Sequence, residues 1–154
     1  MKLLRTGVFI ALLTACHLSV PAQGKFPVNE PNLNKPRAFA DLPERMTLRI
    51  ADMEALLNLS VGTQVNAAVA PGLLLKGRVV SKSNPADASV KSVVISSTAR
   101  NNSTLTFTRT TASDGTVKYI GRIISKTSAD ALEIVKEGNE YVIRKTGYYD
   151  LVNE

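Results

Sequence analysis

A nine-residue pattern occurs twice in this chain and decides its fold. Residues 75–83 read LKGRVVSKS and residues 119–127 read YIGRIISKT, so Gly-Arg precedes two β-branched residues, a serine and a lysine in both. Each copy is soon followed by Ala-Asp-Ala, at residues 86–88 and 129–131. Paired β-branched residues between polar ones are typical of strands. The sequence therefore predicts an internal repeat of two β units, over residues 75–110 and 119–146.

Further alternating runs extend each unit to three strands. They cover residues 90–97 and 104–110 after the first copy, and 132–135 and 141–145 after the second. Turn residues separate them: Asn101-Asn102, Ser113-Asp114-Gly115-Thr116 and Glu137-Gly138-Asn139. We expect a mainly β fold of two similar three-stranded antiparallel units, arranged either as a sandwich or as a small barrel.

A strand and one short helix are predicted before the repeat. Residues 46–50 alternate between apolar and polar side chains, as in a half-buried strand. Asp52 is a suitable N-cap, and Met53, Leu56 and Leu57 share one helical face. Gly62 lies just beyond the expected end.

The two-residue period of a strand predicts which side chains of the repeat face the core. The inward set is Leu75, Gly77, Val79 and Ser81, with Tyr119, Gly121, Ile123 and Ser125 in the second copy. The inward glycines indicate a bend, a bulge or the close approach of another backbone. The outward set contains four cations, which are our candidate binding residues for an anionic partner: Arg78, Lys82, Arg122 and Lys126. A solvated sheet surface with protective charges gives the same pattern.

The first 22 residues have the features of a secretory signal peptide. Lys2 and Arg5 precede an apolar run, and Val20-Pro21-Ala22 places small residues before a cut at Gln23. The run is shorter than the roughly 20 residues that span a bilayer, so we expect a secreted or periplasmic protein without a transmembrane segment. A lipoprotein anchored through Cys16 is the alternative.

Residues 23–43 form a predicted proline-rich leader, and residues 44–154 a single β-rich domain. Pro27, Pro31, Pro36 and Pro43 remove amide donors and disfavour both helix and central strand. Phe26 and Phe39 remain able to dock on the domain surface.

Charge and residue usage exclude several classes of function. Removing Lys2 and Arg5 from the 19 basic residues leaves 17 against 13 acidic ones, a net charge of +4, without a basic run typical of nucleic-acid binding. The only histidine and the only cysteine, His17 and Cys16, leave with the signal peptide. A mature chain without them has no Ser-His-Asp triad, no Cys-His pair and no thiolate or imidazole zinc ligands.

Carboxylates and cofactor motifs give no positive signal. Asp87, Asp114 and Asp130 do not follow EF-hand spacing, and no glycine-rich phosphate loop is present, so we predict neither a metal nor a cofactor. A glycosidase needs only two carboxylates but usually has aromatic cleft walls, and this chain contains no tryptophan.

Several segments from about Leu42 onward resemble a group of small secreted bacterial proteins of unknown function. The resemblance rests on Leu42-Pro43-Glu44, Ala55-Leu56-Leu57, Gly62-Thr63, the two Gly-Arg strands and the C-terminal YDLVNE at residues 149–154. Residues 77–95 with Tyr141-Val142-Ile143 are also similar to β-rich pro-regions of reprolysin-like metalloproteases. The first resemblance implies no activity, and the second implies a pro-region or inhibitor-like module.

Together these observations predict an exported, non-catalytic binding or cell-envelope-associated module. Its expected partner is an anionic envelope polymer or a protein, and not nucleic acid. The alternatives are a stand-alone protease pro-region or inhibitor-like domain, and a hydrolase that uses carboxylates only.

Overall fold

Eight antiparallel strands form one curled half-barrel sheet in a computed structural model that describes residues 34–152. The strands are β1 (Arg45–Thr47), β2 (Gln64–Ala70), β3 (Leu73–Lys82), β4 (Val90–Ser97), β5 (Thr104–Thr111), β6 (Val117–Ile124), β7 (Asp130–Glu137) and β8 (Glu140–Gly147). The helices are α1 (Ile50–Leu57) and the short α2 (Tyr148–Val152). In space the order is β1-β8-β7-β6-β5-β4-β3-β2, so β2 to β8 form a meander and β1 pairs with β8.

The predicted mainly β, antiparallel fold is confirmed. The six strands of the predicted units correspond to β3 to β8, and they lie in one sheet rather than in two sheets that face each other. The predicted turns are present as well: Asn101 and Asn102 have φ of 57° and 53°, and Gly115 and Gly138 have φ of 84° and 60°. Asp114 Oδ1 accepts a hydrogen bond from the Thr116 amide at 2.8 Å, which closes its turn.

Helix α1 begins earlier than predicted. Its N-cap is Arg49, and Asp52 lies in the first turn instead of capping the helix. The strand pairing ends at Leu48, whose amide donates to the Tyr141 carbonyl, so the chain is free to enter the helix at Ile50. Asp52 instead forms an ion pair with Arg49 at 2.8 Å. The predicted apolar face is confirmed, because Met53, Leu56 and Leu57 are buried.

The core occupies the concave side of the sheet, where α1 packs against β2, β4 and β5. Val79 and Ile123 are buried as predicted, and Arg78 and Arg122 are exposed. The outer face is also covered at one end, because α2 packs against β7 and β8. Ala131 and Val142, which alternate with core residues on these strands, are therefore fully buried.

Both inward glycines lie where another strand comes close. A Cβ on Gly77 would be 2.1 Å from the Ser96 carbonyl oxygen of β4. A Cβ on Gly121 would be 2.8 Å from the Ile134 side chain and 2.9 Å from the Thr106 carbonyl oxygen. The predicted close approach of a neighbouring backbone is thus present in both copies.

The predicted facing is wrong at the end of β3. The register with β4 shifts between Val79 and Ser81, so Val80 lies in a bulge. Ser81 then pairs with Val94 and is exposed, contrary to prediction, and Lys82 pairs with the core residue Val93. A bulge adds one residue and reverses the facing of everything after it. Lys82 therefore no longer shares the outer face of Arg78.

Part of the predicted leader belongs to the folded domain. Phe39 is fully buried and Leu42 is 5% exposed, so Phe39 is a core residue rather than a surface contact. The buried Asp130 carboxylate accepts the Ala38 amide at 2.8 Å and the Phe39 amide at 3.0 Å. These bonds use amides that the prolines leave available and fix the segment against the start of β7.

The signal peptide, Cys16 and Phe26 lie outside the described residues, so the predictions on processing and anchoring stay predictions. Within residues 34–152, no helix has the length and apolar character needed to cross a membrane.

Candidate functional site

The first pair of predicted binding residues lies at opposite sides of β3. Arg78 is exposed on the outer face, where its Nε donates a hydrogen bond to the Gly62 carbonyl at 2.9 Å. Lys82 lies beyond the bulge and lines a cavity with the 83–92 segment and the end of α1. The bulge therefore separates these two cations.

The second pair lies on and just beyond β6. Arg122 is exposed on the outer face, and Lys126 is exposed after the strand has ended. The Lys126 carbonyl accepts a hydrogen bond from Lys35 Nζ at 2.9 Å. Strands β3 and β6 are three strand spacings apart, about 14 Å, so the four residues do not form one continuous patch. Of the four, Arg122 lines a groove of the outer face.

That groove begins where β6 and β7 separate. Strand β6 pairs with β5 along its whole length, from Val117 to Ile124, but with β7 only from Gly121 to Ile123. Before Gly121 the two strands diverge, and the Tyr119 amide donates instead to the Tyr141 hydroxyl at 3.1 Å. The Tyr141 side chain thus takes the place of a β7 carbonyl and closes the opening from the concave side.

The groove has a volume of about 650 Å³ and combines an apolar floor with basic walls. Ile120, which is 50% exposed, forms the floor together with Val135 and Leu151 of α2. Thr106 and Thr108 of β5 add methyl and hydroxyl groups along one side. The arrangement offers apolar contact and hydrogen bonding in one concave surface.

The charges at the groove are mainly positive. Lys118, Arg122 and Lys136 all line it, and Glu133 is the acidic residue among them. The Glu133 carboxylate binds Arg144 Nη2 at 3.0 Å, so its negative charge is already neutralised by Arg144. Cations around an apolar floor attract anions, and this electrostatic attraction is stronger where the surface excludes water.

A polar cluster below the groove connects α1 to the sheet. The Tyr119 hydroxyl donates to Glu54 Oε1, and Arg109 Nε lies 3.6 Å from the same carboxylate oxygen. Burial, and then the hydrogen bond to Glu54, raise the pKa of Tyr119 above its usual value. The phenol is therefore protonated at neutral pH and serves as a hydrogen-bond donor that holds the helix, not as a base.

Aromatic packing fixes the position of Tyr119. Its ring stacks on Phe107 with centroids 5.8 Å apart and meets Tyr141 edge-on at 5.2 Å. Phe107 is fully buried, so the stack continues into the core. The wall of the groove at Tyr119 is consequently rigid.

Of the three cations that line the groove, the sequence predicted Arg122 as a binding residue but not Lys118 or Lys136. Lys118 and Ile120 precede Arg122 at two-residue spacing, so the same alternation extended backwards would have found them. Lys136, Val135 and Leu151 join the site only because β6 and β7 diverge and α2 folds over the outer face. Neither feature has a local sequence signal.

The three aspartates considered as metal ligands serve local structure. The Ser89 hydroxyl and amide donate to Asp87 and lower its pKa, and the Thr116 amide does the same at Asp114. Asp130 holds the Ala38 and Phe39 amides. Over residues 34–152 there is no group of three or more histidine, cysteine, aspartate or glutamate side chains placed to hold a metal ion.

No family model, curated protein or solved structure matches this chain. The resemblances to small secreted proteins and to protease pro-regions therefore stay predictions, and the function is argued from the geometry of the groove.

Proposed function

We propose that the protein is an exported, non-catalytic binding module that uses the groove between β6 and β7 to bind an anionic polymer of the cell envelope. The observation that carries the proposal is the apolar floor at Ile120, Val135 and Leu151 beside Lys118, Arg122 and Lys136. An anionic chain with apolar parts satisfies both sets of groups at once. The absence of histidine and cysteine after residue 17 further supports binding over catalysis.

The proposed binding site is one groove and not the basic surface of the sheet as a whole. Arg78 and Lys76 also project from the sheet and are exposed, but neither lines the groove. A ligand held by net charge alone would respond equally to loss of either pair of cations. A ligand held in the groove loses affinity only when the cations of the groove are removed.

The test compares two double variants of the protein that begins at Gln23. Lys118→Gln with Arg122→Gln removes two groove cations, and Lys76→Gln with Arg78→Gln removes two cations elsewhere as a matched control. Retention is measured by co-sedimentation with envelope material from the producing cells. We expect the groove variant to bind about tenfold or more weakly and the control to stay within about twofold, because each lost charge contact is worth about 1 kcal/mol or more.

The salt dependence of binding and a substitution in the apolar floor complete the test. Binding should weaken as sodium chloride rises, since exposed charges are screened over about 8 Å at physiological ionic strength. Val135→Asp places an anion in the floor and should also weaken retention. Equal losses in both double variants, or retention that survives all of these changes, would place the ligand elsewhere and refute the proposal.

A further inference from the structure

The edge of the sheet at β2 presents a row of backbone hydrogen-bonding groups. The Val79 amide donates to the Thr63 carbonyl at 3.0 Å, so Thr63 turns its C=O group toward β3, while its N–H group donates to the Ser60 carbonyl at 3.1 Å. Backbone groups alternate in direction along a strand, and the β2–β3 register is continuous from Gln64 to Ala68. Gln64, Asn66 and Ala68 therefore direct their N–H and C=O groups away from the sheet. No other described strand lies on that side.

This edge lacks the usual protection against pairing with another strand. Residues 64–70 read QVNAAVA and contain no charged side chain and no proline. The bulge of β2 lies at its far end, between Ala68 and Ala70, so it leaves Gln64 to Ala68 regular. Natural edge strands are commonly blocked by lysine, proline, a bulge or short length. The opposite edge, β1, is only three residues long.

A groove runs along this edge between β2 and α1. One cavity of about 420 Å³ lies between β2 residues and Asp52, Ala55 and Leu59. A second cavity of about 490 Å³ lies between the end of β2 and Thr47 of β1, and both include Arg49 and Ala68. The two cavities adjoin and follow the seven residues of β2, a length of about 23 Å for an extended chain.

We propose that this groove binds an extended peptide segment of a partner protein, which adds to β2 as a further strand. The three outward-facing residues supply three donors and three acceptors at the two-residue repeat of a strand, and an extended peptide backbone matches that spacing. The wall opposite is formed by small or apolar side chains, and its charged pair, Arg49 and Asp52, is mutually neutralised at 2.8 Å. The peptide is therefore uncharged where it faces α1, and it is free of proline where its N–H groups face β2.

A single peptide strand fits the site better than a second copy of this chain. Each copy carries α1 beside its own β2 edge. Two-fold pairing of β2 with β2 would bring both helices toward the same gap. This inference does not depend on the groove between β6 and β7, because the two sites share no residue.

The first experiment measures amide hydrogen exchange by NMR with and without the synthetic peptide acetyl-ETVTVTVTE-amide. On binding, the Gln64, Asn66 and Ala68 amides should slow by about tenfold or more, and the Val65 and Ala67 amides, which face β3, should change little. A peptide with proline in place of the central valine should give no protection. Absence of the alternating pattern at saturating peptide, or protection at β6 and β7 instead, would overturn the inference.

A pair of variants tests the same edge independently. Asn66→Pro removes an outward N–H, a position where proline is tolerated on an edge strand, and Asn66→Ala removes only the side chain. Peptide affinity measured by fluorescence anisotropy should fall about tenfold or more for Asn66→Pro and stay within about twofold for Asn66→Ala. Equal affinities for all three proteins would contradict backbone pairing. A dimer by light scattering, with the three amides already protected before peptide is added, would assign the edge to a second copy and refute the peptide proposal.

Discussion

Strands β3 and β6 carry the same Gly-Arg pattern but end differently. In β3 the bulge at Val80 turns Ser81 outward and carries Lys82 to the core side. In β6 the pairing with β5 is regular, and Ser125 stays buried at 3% exposure. The partner strand, rather than the shared sequence, decides where the last residues of the pattern face.

The two copies also differ in how tightly their glycines are enclosed. A Cβ on Gly77 would meet a backbone oxygen of β4 at 2.1 Å, whereas a Cβ on Gly121 would meet the flexible end of Ile134 at 2.8 Å and a backbone oxygen of β5 at 2.9 Å. We predict that Gly77→Ala lowers the free energy of unfolding by about 3 kcal/mol or more, and Gly121→Ala by about 1–2 kcal/mol. Urea denaturation of the two variants measures the difference. A larger loss at Gly121 would show that the β5–β6–β7 packing is the more rigid of the two.

The paired serines give a second, smaller contrast. Ser125 Oγ donates to the Asn101 carbonyl at 2.6 Å and ties the β4–β5 turn to the end of β6. Ser125→Ala leaves that carbonyl without its partner, and should cost about 1–2 kcal/mol of unfolding free energy. Ser81→Ala, its exposed counterpart, should cost less than about 0.5 kcal/mol. Equal urea midpoints for the two variants would mean that the Ser125 bond contributes nothing to stability.

The sequence predicted features that are set within one strand and did not predict features that depend on contacts between distant segments. Alternation correctly predicted six strands and the burial of Val79 and Ile123, because each strand packs one face against the core. It did not delimit β2, whose alanine-rich QVNAAVA has weak strand propensity, and it placed Phe39 outside the core. Phe39 is held by Asp130, a residue 91 positions away, and no local pattern reports such a contact.

The candidate site was less predictable than the fold. Arg122 was identified from its exposed position on a strand, but the groove around it depends on the divergence of β6 from β7 and on the return of α2. The bulge at Val80 likewise depends on the register with β4. These are properties of pairs of distant segments, which a single sequence does not encode locally.

Tyr119 stands at the position that Leu75 has in residues 75–83, and this difference makes the free energy of unfolding depend on pH. The raised pKa of Tyr119 comes first from burial and then from its bond to Glu54. Its contribution to stability is complete below the unfolded tyrosine pKa of about 10, and is lost as pH rises through the higher folded pKa, because the unfolded chain ionises first.

The measurement for Tyr119 is a series of urea midpoints between about pH 8 and pH 11. Tyr119→Phe should lose about 1 kcal/mol at neutral pH through the missing hydrogen bond to Glu54, and should show a shallower alkaline decline than the wild type. Tyr148→Phe serves as a control that keeps Tyr119. An unchanged alkaline decline in Tyr119→Phe would assign that decline to other groups.

The two arginines of the pattern are expected to have the smallest effects on stability and to differ in function. Arg78 donates to the Gly62 carbonyl at 2.9 Å and so holds the turn before β2, whereas Arg122 lines the groove between β6 and β7. Both are exposed, so Arg78→Gln and Arg122→Gln should each change the unfolding free energy by less than about 0.5 kcal/mol, with the larger loss at Arg78. Retention on envelope material should show the reverse order and weaken mainly with Arg122→Gln. If Arg78→Gln reduced retention as much as Arg122→Gln, the outer face would act through its total charge, and the difference between the two strands would have no functional consequence.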